Sequence, residues 1–323
     1  MARQMSAKFD DLLIALEDAG RPFPVERLSE LSDLDRERMQ RLRAMWPRIA
    51  DDRRRDLMTA LGQLADDHIE FTFERINRFA IDDPLAEIRA QAIRNLWECE
   101  DPRLVGPLLT ALAGDSDLEV RAAAGTALGA FLFLGETEAL PSGVLPRIEE
   151  GLLAAATSDS ADEARRRSLE SLGYSSRPEV PALIEKAYAS GEPPWSRSSL
   201  IAMGRSASKP WGPKVMHELS SPAPPLRLEA ARAAGELDLQ DSVPSLIDLL
   251  DDVDDEVRRA AIWSLGQLGG AAANEALLRL VDRAEDDDEI ELLEDALGNL
   301  AFVDGTRDLL LFDLDEDTED SAS

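Results

Sequence analysis

The fold is decided by residues 242–270, which read SVPSLIDLLDDVDDEVRRAAIWSLGQLGG. Apolar side chains recur at helical spacing over residues 243–250, behind Ser242 as a candidate N-cap. The acidic run 251–256 is typical of a turn, and a second apolar stripe over 257–268 ends at a glycine pair. Neither helix can bury its stripe alone, so this hairpin must stack on neighbouring hairpins.

The end of this stretch is part of an internal repeat. An apolar residue followed by glycine recurs at Leu61-Gly62, Leu128-Gly129, Leu172-Gly173, Met203-Gly204, Ala234-Gly235, Leu265-Gly266 and Leu297-Gly298, and Leu96-Trp97 fills the one gap. The intervals are 31 to 35 residues, with one of 44, which is the period of stacked helical hairpins. We therefore predict an all-α fold, a right-handed α-α superhelix of about eight helical hairpins.

The segments outside the repeat predict three further parts. Residues 1–50 lack the repeat signature and are expected to form a helical cap over the first hairpin, because a bare solenoid end aggregates. Residues 51–312 form the array, with an insertion near 131–146 inside the long interval. The tail 313–323 is dense in Asp and Glu and is predicted to be disordered.

The charge balance restricts the partners. The chain has 65 acidic and 35 basic residues and a net charge of −30, so a polyanion such as DNA or RNA is repelled by its mean field. Cys99 is the single cysteine, which excludes an intrachain disulfide and fits a reducing compartment. Acidic residues interrupt the N-terminal apolar positions, and no apolar run reaches the length of a membrane span. We expect a cytoplasmic protein with neither nucleic acid nor membrane as its partner.

Aspartate and arginine recur six positions apart around the predicted turns, at Asp83/Arg89, Asp115/Arg121, Asp159/Arg165 and Asp252/Arg258. In this pattern the unit resembles a HEAT repeat, especially the short type of the phycobilisome-lyase-like group. The resemblance implies that these side chains form a ladder of hydrogen bonds between adjacent repeats. The corresponding positions Arg48/Arg54, Ser190/Ser196, Ser221/Arg227 and Ala284/Ile290 depart from the pattern. We expect the ladder to be broken in the middle and at both ends.

Catalytic constellations are poor. His68 and His217 are about 150 residues apart and cannot form a zinc site of usual spacing with Cys99. His217-Glu218 resembles the His-Glu pairs by which HEAT-type deoxyhypusine hydroxylases hold iron, but one pair cannot complete such a site. We therefore expect no metal, no cofactor and no enzymatic activity.

The exposed stripe of the second helices is the strongest functional candidate. Positions six before, two before and two after the leucine of each pair lie on one helix face, and in HEAT-like arrays the second helices line the concave surface. Over four consecutive units this stripe collects Arg166, Tyr174, Arg197, Arg205, Arg232, Arg259 and Trp263, with Ile201 beside them. Arginine and large aromatics carry much of the energy of protein interfaces. The alternative is that the arginines pair with neighbouring acids and Trp263 packs between repeats.

These observations favour a protein-binding scaffold that takes an acidic or extended partner segment on its concave face. The resemblance to the lyase-like group also implies a bilin lyase or isomerase, although no distinctive pocket motif is visible in the sequence. A HEAT-like DNA glycosylase is a further alternative, but it grips phosphates with a basic concave face, and the acidity of this chain opposes that function.

Overall fold

The computed structural model describes residues 2–284 and 286–320, with side chains over residues 8–284 and 286–306. Within the described residues the chain is helical and contains no strand, which confirms the predicted all-α fold. The chain divides into two compact units, Met1–Leu172 and Gly173–Ser323. The handedness of the predicted superhelix stays a prediction.

The first unit begins with two helices outside the repeat and continues as hairpins. Its helices are α1 (Ala2–Glu17), α2 (Arg36–Met45), α3 (Asp51–Asp67), α4 (Glu74–Ala80), α5 (Ala86–Arg94), α6 (Val105–Gly114), α7 (Leu118–Glu136), α8 (Val144–Ser158) and α9 (Asp162–Leu172). Three short 3₁₀ helices are interspersed at Val25–Leu31, Trp46–Arg48 and Pro102–Leu104. The second helices α3, α5, α7 and α9 pack side by side in chain order, and α4, α6 and α8 each pack on the helix that follows.

The second unit repeats the same arrangement. Its helices are α10 (Val180–Ala189), α11 (Pro193–Arg205), α12 (Gly212–Glu218), α13 (Pro224–Glu236), α14 (Val243–Leu249), α15 (Asp255–Leu268), α16 (Ala271–Val281) and α17 (Asp287–Asp320). Short 3₁₀ helices lie at Lys209–Trp211 and Gln240–Ser242. Helices α11, α13, α15 and α17 pack in succession, and each also packs on the helix that precedes it.

Two of the hairpin turns, those before α7 and α15, are each fixed by two aspartates. Asp252 accepts a hydrogen bond from the backbone N–H of Asp254 at 2.9 Å, and Asp254 accepts one from the N–H of Glu256 at 3.0 Å. The second of these bonds is an N-cap on α15. Asp115 and Asp117 repeat both bonds before α7. The Asp-x-Asp pattern therefore closes the turn and starts the second helix.

The glycine of the repeat allows adjacent second helices to approach closely. A Cβ atom at Gly173 would lie 2.7 Å from the carbonyl oxygen of Ala202, and one at Gly266 would lie 2.8 Å from that of Ala296. Any larger side chain would therefore push the following helix away. Gly298, at the same place in α17, has no heavy atom within 4 Å of such a Cβ position among the described residues.

Polar side chains add a second link between some of these helices. Asn95 donates to the carbonyl oxygen of Met58 at 2.8 Å, Ser171 to that of Gly125 at 2.8 Å, and Ser264 to that of Ala231 at 2.7 Å. Each donor directly precedes the apolar residue that begins the two-residue repeat signature. Each acceptor lies three residues before the corresponding apolar residue of the preceding repeat. These bonds hold the register of neighbouring helices where other repeats have alanine.

The cap is attached to the array through a buried arginine. The guanidinium of Arg53, at the start of α3, donates to the carbonyl oxygens of Leu16 at 3.0 Å, Ala15 at 2.7 Å and Arg21 at 3.0 Å. Arg53 is only 7% exposed. Its guanidinium supplies hydrogen-bond donors to carbonyls at the C-terminal end of α1 and just beyond it, where the helix has no backbone N–H groups left to bond them.

Two local features depart from a uniform repeat, the insertion and the early end of α5. The insertion 131–146 comprises the end of α7, a turn and the start of α8. By length and composition alone α7 could cross a membrane, but more than half of its apolar window is buried inside the protein. Helix α5 ends at Arg94, so Trp97 lies outside the helix and is 63% exposed. It therefore does not fill the slot that glycine occupies elsewhere.

The last helix is longer than the sequence predicts. The bounds of α17 include residues 313–320, the first part of the predicted disordered tail, and residues 321–323 lie outside the described part of the chain. The helix starts on packed residues, Leu293, Ala296 and Leu300. Once such a helix is nucleated, each added residue contributes one more backbone hydrogen bond, which favours its continuation.

Candidate partner-binding surface

Aspartate and arginine side chains form hydrogen bonds between several pairs of adjacent repeats. Arg89 donates to both carboxylate oxygens of Asp115, at 2.8 and 2.7 Å, and to the backbone oxygen of Asp83 at 2.9 Å. Arg121 bonds Asp159 and the backbone oxygen of Asp115 in the same way. Each arginine thus holds its own turn through the backbone and the following turn through a forked ion pair.

The predicted breaks in this ladder are wrong at two positions. Arg54 donates to Asp83 at 2.7 Å, and Arg227 donates to both oxygens of Asp252 at 2.7 Å, although neither repeat has its own aspartate. The reason is that the carboxylate is supplied by the following repeat. The repeats that follow Arg165 and Arg258 carry Ser190 and Ala284 at the aspartate position. These two arginines form ion pairs within their own helices, Arg165 with Asp162 and Arg258 with Asp255.

These contacts shift the pKa of the aspartates. Hydrogen bonds from Arg227 lower the pKa of Asp252 and outweigh the opposing effect of burial. Burial acts to raise the pKa of Asp115 and Asp159, but the arginine and backbone N–H bonds together exceed it, so both pKa values are lowered. The carboxylates of Asp115, Asp159 and Asp252 are therefore held in their ionised form and act as structural links.

Among the residues of the predicted stripe, Arg166 lies in the first unit, on α9. It forms ion pairs with Asp162 at 3.3 Å and with Glu163, both on the same helix, and its side chain is 15% exposed. Its charge is therefore largely neutralised locally, as the alternative interpretation of the stripe expects.

The other residues of the stripe lie in the second unit. We call them the arginine face: Tyr174, Arg197, Arg205, Arg232, Arg259 and Trp263. Arg197 and Arg205 are on α11, Arg232 is on α13, and Arg259 and Trp263 are on α15. Since these three helices pack in succession, the arginines and Trp263 are carried by one continuous layer of the unit, and Tyr174 lies in the turn before α10.

An aromatic contact orients one arginine of this face. The guanidinium of Arg205 lies 5.0 Å from the centre of the Tyr174 ring, within cation–π distance. Trp263 is 38% exposed, and its ring reaches the Gly235 position of the preceding helix. Trp263 therefore packs between repeats on one side and faces solvent on the other, which combines the two interpretations made from the sequence.

Two glutamates on α13 complete the face, and the sequence analysis missed their role. Glu229 is only 3% exposed and accepts hydrogen bonds from Arg197 at 3.0 and 2.7 Å. Arg232 lies 3.8 Å from its second oxygen. The sequence offered one signal for this role, since Glu229 stands at a position that carries Ala123, Ser198 and Ala260 in three other repeats. A buried carboxylate requires such partners, so Arg197 is committed to the fold.

The remaining charges leave the face positive. Glu236, at the end of α13, interacts electrostatically with Arg205 and Arg232. Arg259 has no ion pair with any described residue and is exposed. Helices α11, α13 and α15 together carry six arginines and four acidic residues, an excess of two positive charges on a chain whose net charge is −30. Arg259 also lines a small cleft with Asp255, Asp286 and Glu289. The face can attract and orient carboxylates.

A separate cleft lies outside the arginine face. It has a volume of about 510 Å³ and lies in the first unit between α6 and α8, beside the ladder residues Asp115, Arg121 and Asp159. Because those charges already pair with each other, the cleft presents no uncommitted reactive group. Within the described residues there is no group of three or more His, Cys, Asp or Glu side chains placed to hold a metal ion.

Comparisons with known proteins agree with the repeat architecture. A family model described as HEAT repeats matches residues 78–142 and 212–298. No curated protein matches the chain in sequence.

Several solved structures are similar to the chain. Human deoxyhypusine hydroxylase in complex with glycerol is 17% identical, with 93% of this chain and 98% of that chain covered and a TM-score of 0.37. The complex of CpcE and CpcF of phycocyanin lyase from Nostoc sp. PCC7120 is 20% identical, with 70% and 94% covered and a TM-score of 0.46. Kap121p bound to Pho4p is 13% identical, with 90% and 37% covered and a TM-score of 0.44. On the family match, residues 78–142 and 212–298 of this chain are HEAT repeats.

Proposed function

We propose that this chain is a non-catalytic HEAT-repeat scaffold whose arginine face binds an acidic, extended segment of another protein. The observation that carries the proposal is the excess of arginine over acid on α11, α13 and α15 in a strongly acidic chain. Nucleic acid and membrane surfaces are both anionic, and the proposal excludes them because the acidic remainder of the chain would repel any large polyanion.

The individual contacts support recognition of carboxylates. Arg205 is held over Tyr174 and Arg259 is exposed without an ion-pair partner among the described residues, so both guanidinium groups have donors to offer. A guanidinium binds a carboxylate through two parallel hydrogen bonds, which fixes its orientation. Tyr174 and Trp263 add apolar contact area at a small cost in side-chain entropy.

Charge reversal of the two most available arginines tests this function. We expect the Arg205→Glu/Arg259→Glu variant to bind a labelled peptide of residues 313–323, DLDEDTEDSAS, at least about tenfold more weakly than the wild type in low salt. Fluorescence anisotropy measures this affinity. Arg197 is left in place because its loss would strand the buried Glu229.

Two controls distinguish binding at the arginine face from a general effect of the net charge of the protein. The Arg279→Glu/Arg283→Glu variant changes the net charge equally on the same unit, at exposed positions on and just after α16, and should lose little affinity. A peptide with amides in place of its carboxylates should bind neither protein. Equal losses in the two double variants would contradict the assignment of the arginine face.

A further inference from the structure

The carboxylate of Glu236 occupies a notch in the neighbouring helix. Gly204 on α11 has no side chain, and a Cβ atom placed there would overlap with Oε2 of Glu236. The Glu236 side chain therefore extends from α13 across to α11, against the backbone next to Arg205. Gly204 makes room for a carboxylate at this point of the face.

Charges of both signs surround this notch. Arg205 on α11 and Arg232 on α13 favour the ionised carboxylate, whereas Glu229 disfavours it. Burial against α11 is the largest influence and raises the pKa of Glu236, although more than a third of the residue remains exposed on its outer side. The notch thus holds an accessible carboxylate whose unfavourable interactions, burial first, outweigh its attraction to Arg205 and Arg232.

Glu236 differs from Glu229 in how firmly it is held. Glu229 is buried and accepts two hydrogen bonds from Arg197. Glu236 accepts no hydrogen bond from any described residue. Rotation of the Glu236 side chain into solvent therefore breaks no hydrogen bond among the described residues and regains hydration of its carboxylate, so this acid can leave while Glu229 cannot.

We propose that the notch at Gly204, between Arg205 and Arg232, is the binding site for one Asp or Glu side chain of the partner, and that Glu236 occupies it as an internal substitute until the partner displaces it. This inference rests on the proposed function and assigns a place on the arginine face to a single carboxylate. Glu236 is then a positioning and competing residue that weakens partner binding, so only segments with several carboxylates bind well.

Removal of the competing charge tests the inference. We expect Glu236→Gln to bind the peptide of residues 313–323 about three- to fivefold more tightly than the wild type in low salt, the size of effect typical of a partly exposed ion pair. Glu275→Gln on α16 removes the same charge from an exposed site of the same unit and should change the affinity less than about 1.5-fold.

A double variant shows whether the gain in peptide affinity depends on the notch. Adding Arg205→Ala to Glu236→Gln should abolish the gain, because the displaced carboxylate and the partner use the same guanidinium. A gain that persists without Arg205, or an equal gain in Glu275→Gln, would overturn the notch assignment.

The two proposals fail in different ways. Unchanged binding by Glu236→Gln, together with loss of binding in Arg205→Glu/Arg259→Glu, would overturn the inference about Glu236 and leave the proposed function standing. Absence of peptide binding in the wild type and in Glu236→Gln alike would overturn both.

Discussion

Arg227 on α13 donates one hydrogen bond to each carboxylate oxygen of Asp252, both at 2.7 Å, across the boundary between two repeats. Its own turn has Ser221 in place of aspartate, and Arg227 holds that turn through the backbone oxygen of Ser221 at 2.8 Å. The side chains are 12% and 6% exposed, so water competes little for the pair. The unit of the ladder is thus an arginine and the aspartate of the next repeat.

Loss of this link should cost much more than loss of a similar arginine without a following aspartate. We expect Arg227→Ala to lower the free energy of unfolding by about 2–3 kcal/mol, because the poorly hydrated Asp252 is left without its cation. Arg258→Ala should cost less, about 1 kcal/mol, because Arg258 also holds its own turn through the backbone oxygen of Asp252 but forms its ion pair with the exposed Asp255, so its loss leaves no buried carboxylate without a cation. Urea unfolding followed by circular dichroism measures both. Equal losses would show that the arginine acts through its own turn alone.

The ladder should also make stability depend on pH. The pKa of Asp252 is lower in the folded chain than its ordinary value of 3.8, so its contribution is complete above that value and is lost as the pH falls through the folded-state pKa. We expect the difference in unfolding free energy between the wild type and Asp252→Asn to be largest near pH 7 and to shrink steadily below about pH 4. Urea titrations at several pH values test this. A difference that stays constant down to pH 2 would contradict the assigned direction of the pKa shift.

The fold could be predicted from the sequence because the repeat imposes the same local rules many times. The apolar stripes, the Asp-x-Asp turn and the glycine after each leucine all act within one hairpin or between adjacent hairpins. The predicted breaks in the ladder were wrong at Arg54 and Arg227 because a break was predicted wherever a repeat lacks its own aspartate, whereas the carboxylate comes from the following repeat. That error concerned which neighbour supplies a partner, and spacing within one repeat does not contain this information.

The candidate site was less predictable. The helical phase placed the five arginines and Trp263 on second helices, whereas Tyr174 lies in the turn after α9, and it could not show which charges are neutralised. Glu229 and Glu236 lie on the helix next to Arg197 and Arg205, so their pairing depends on the stacking of α11 on α13. Likewise, the hydrogen bond from Ser264 to Ala231 depends on the register between two helices. Side-chain partners across repeats require the packed structure.

The close approach of second helices predicts opposite effects at two glycines of the same repeat position. Gly266→Leu should destabilise the chain by about 1–3 kcal/mol, because even a Cβ atom there lies 2.8 Å from the carbonyl oxygen of Ala296. Gly298→Ala should be neutral or stabilise by up to about 1 kcal/mol, since its position in α17 is open and alanine favours helix. Thermal unfolding of both variants provides the measurement. An unchanged melting temperature for Gly266→Leu would show that this glycine does not lie at a tight helix contact.

Attachment of the cap should depend on Arg53. Its guanidinium donates to three backbone carbonyls at the end of α1 and beyond it, and its side chain also lies 5.4 Å from the ring centre of Phe23. Arg53→Ala leaves the carbonyls of Ala15 and Leu16 without these donors, so we expect a loss of about 2–3 kcal/mol that is concentrated in the cap. Hydrogen exchange should show faster exchange of the amides of residues 8–17.

A neighbouring arginine supplies the control for this last prediction. Arg55 is on the same helix, but its side chain is 42% exposed and lies 4.0 Å from Glu87. Arg55→Ala should therefore leave the exchange of residues 8–17 unchanged, because an exposed pair at that distance contributes little. If the amides of residues 8–17 exchange equally slowly in both variants, the cap is held by its apolar contacts. These include the fully buried side chains of Phe9, Leu12 and Leu16. If Arg53→Ala alone speeds the exchange of these amides, the guanidinium of Arg53 is the contact that joins the cap to the array.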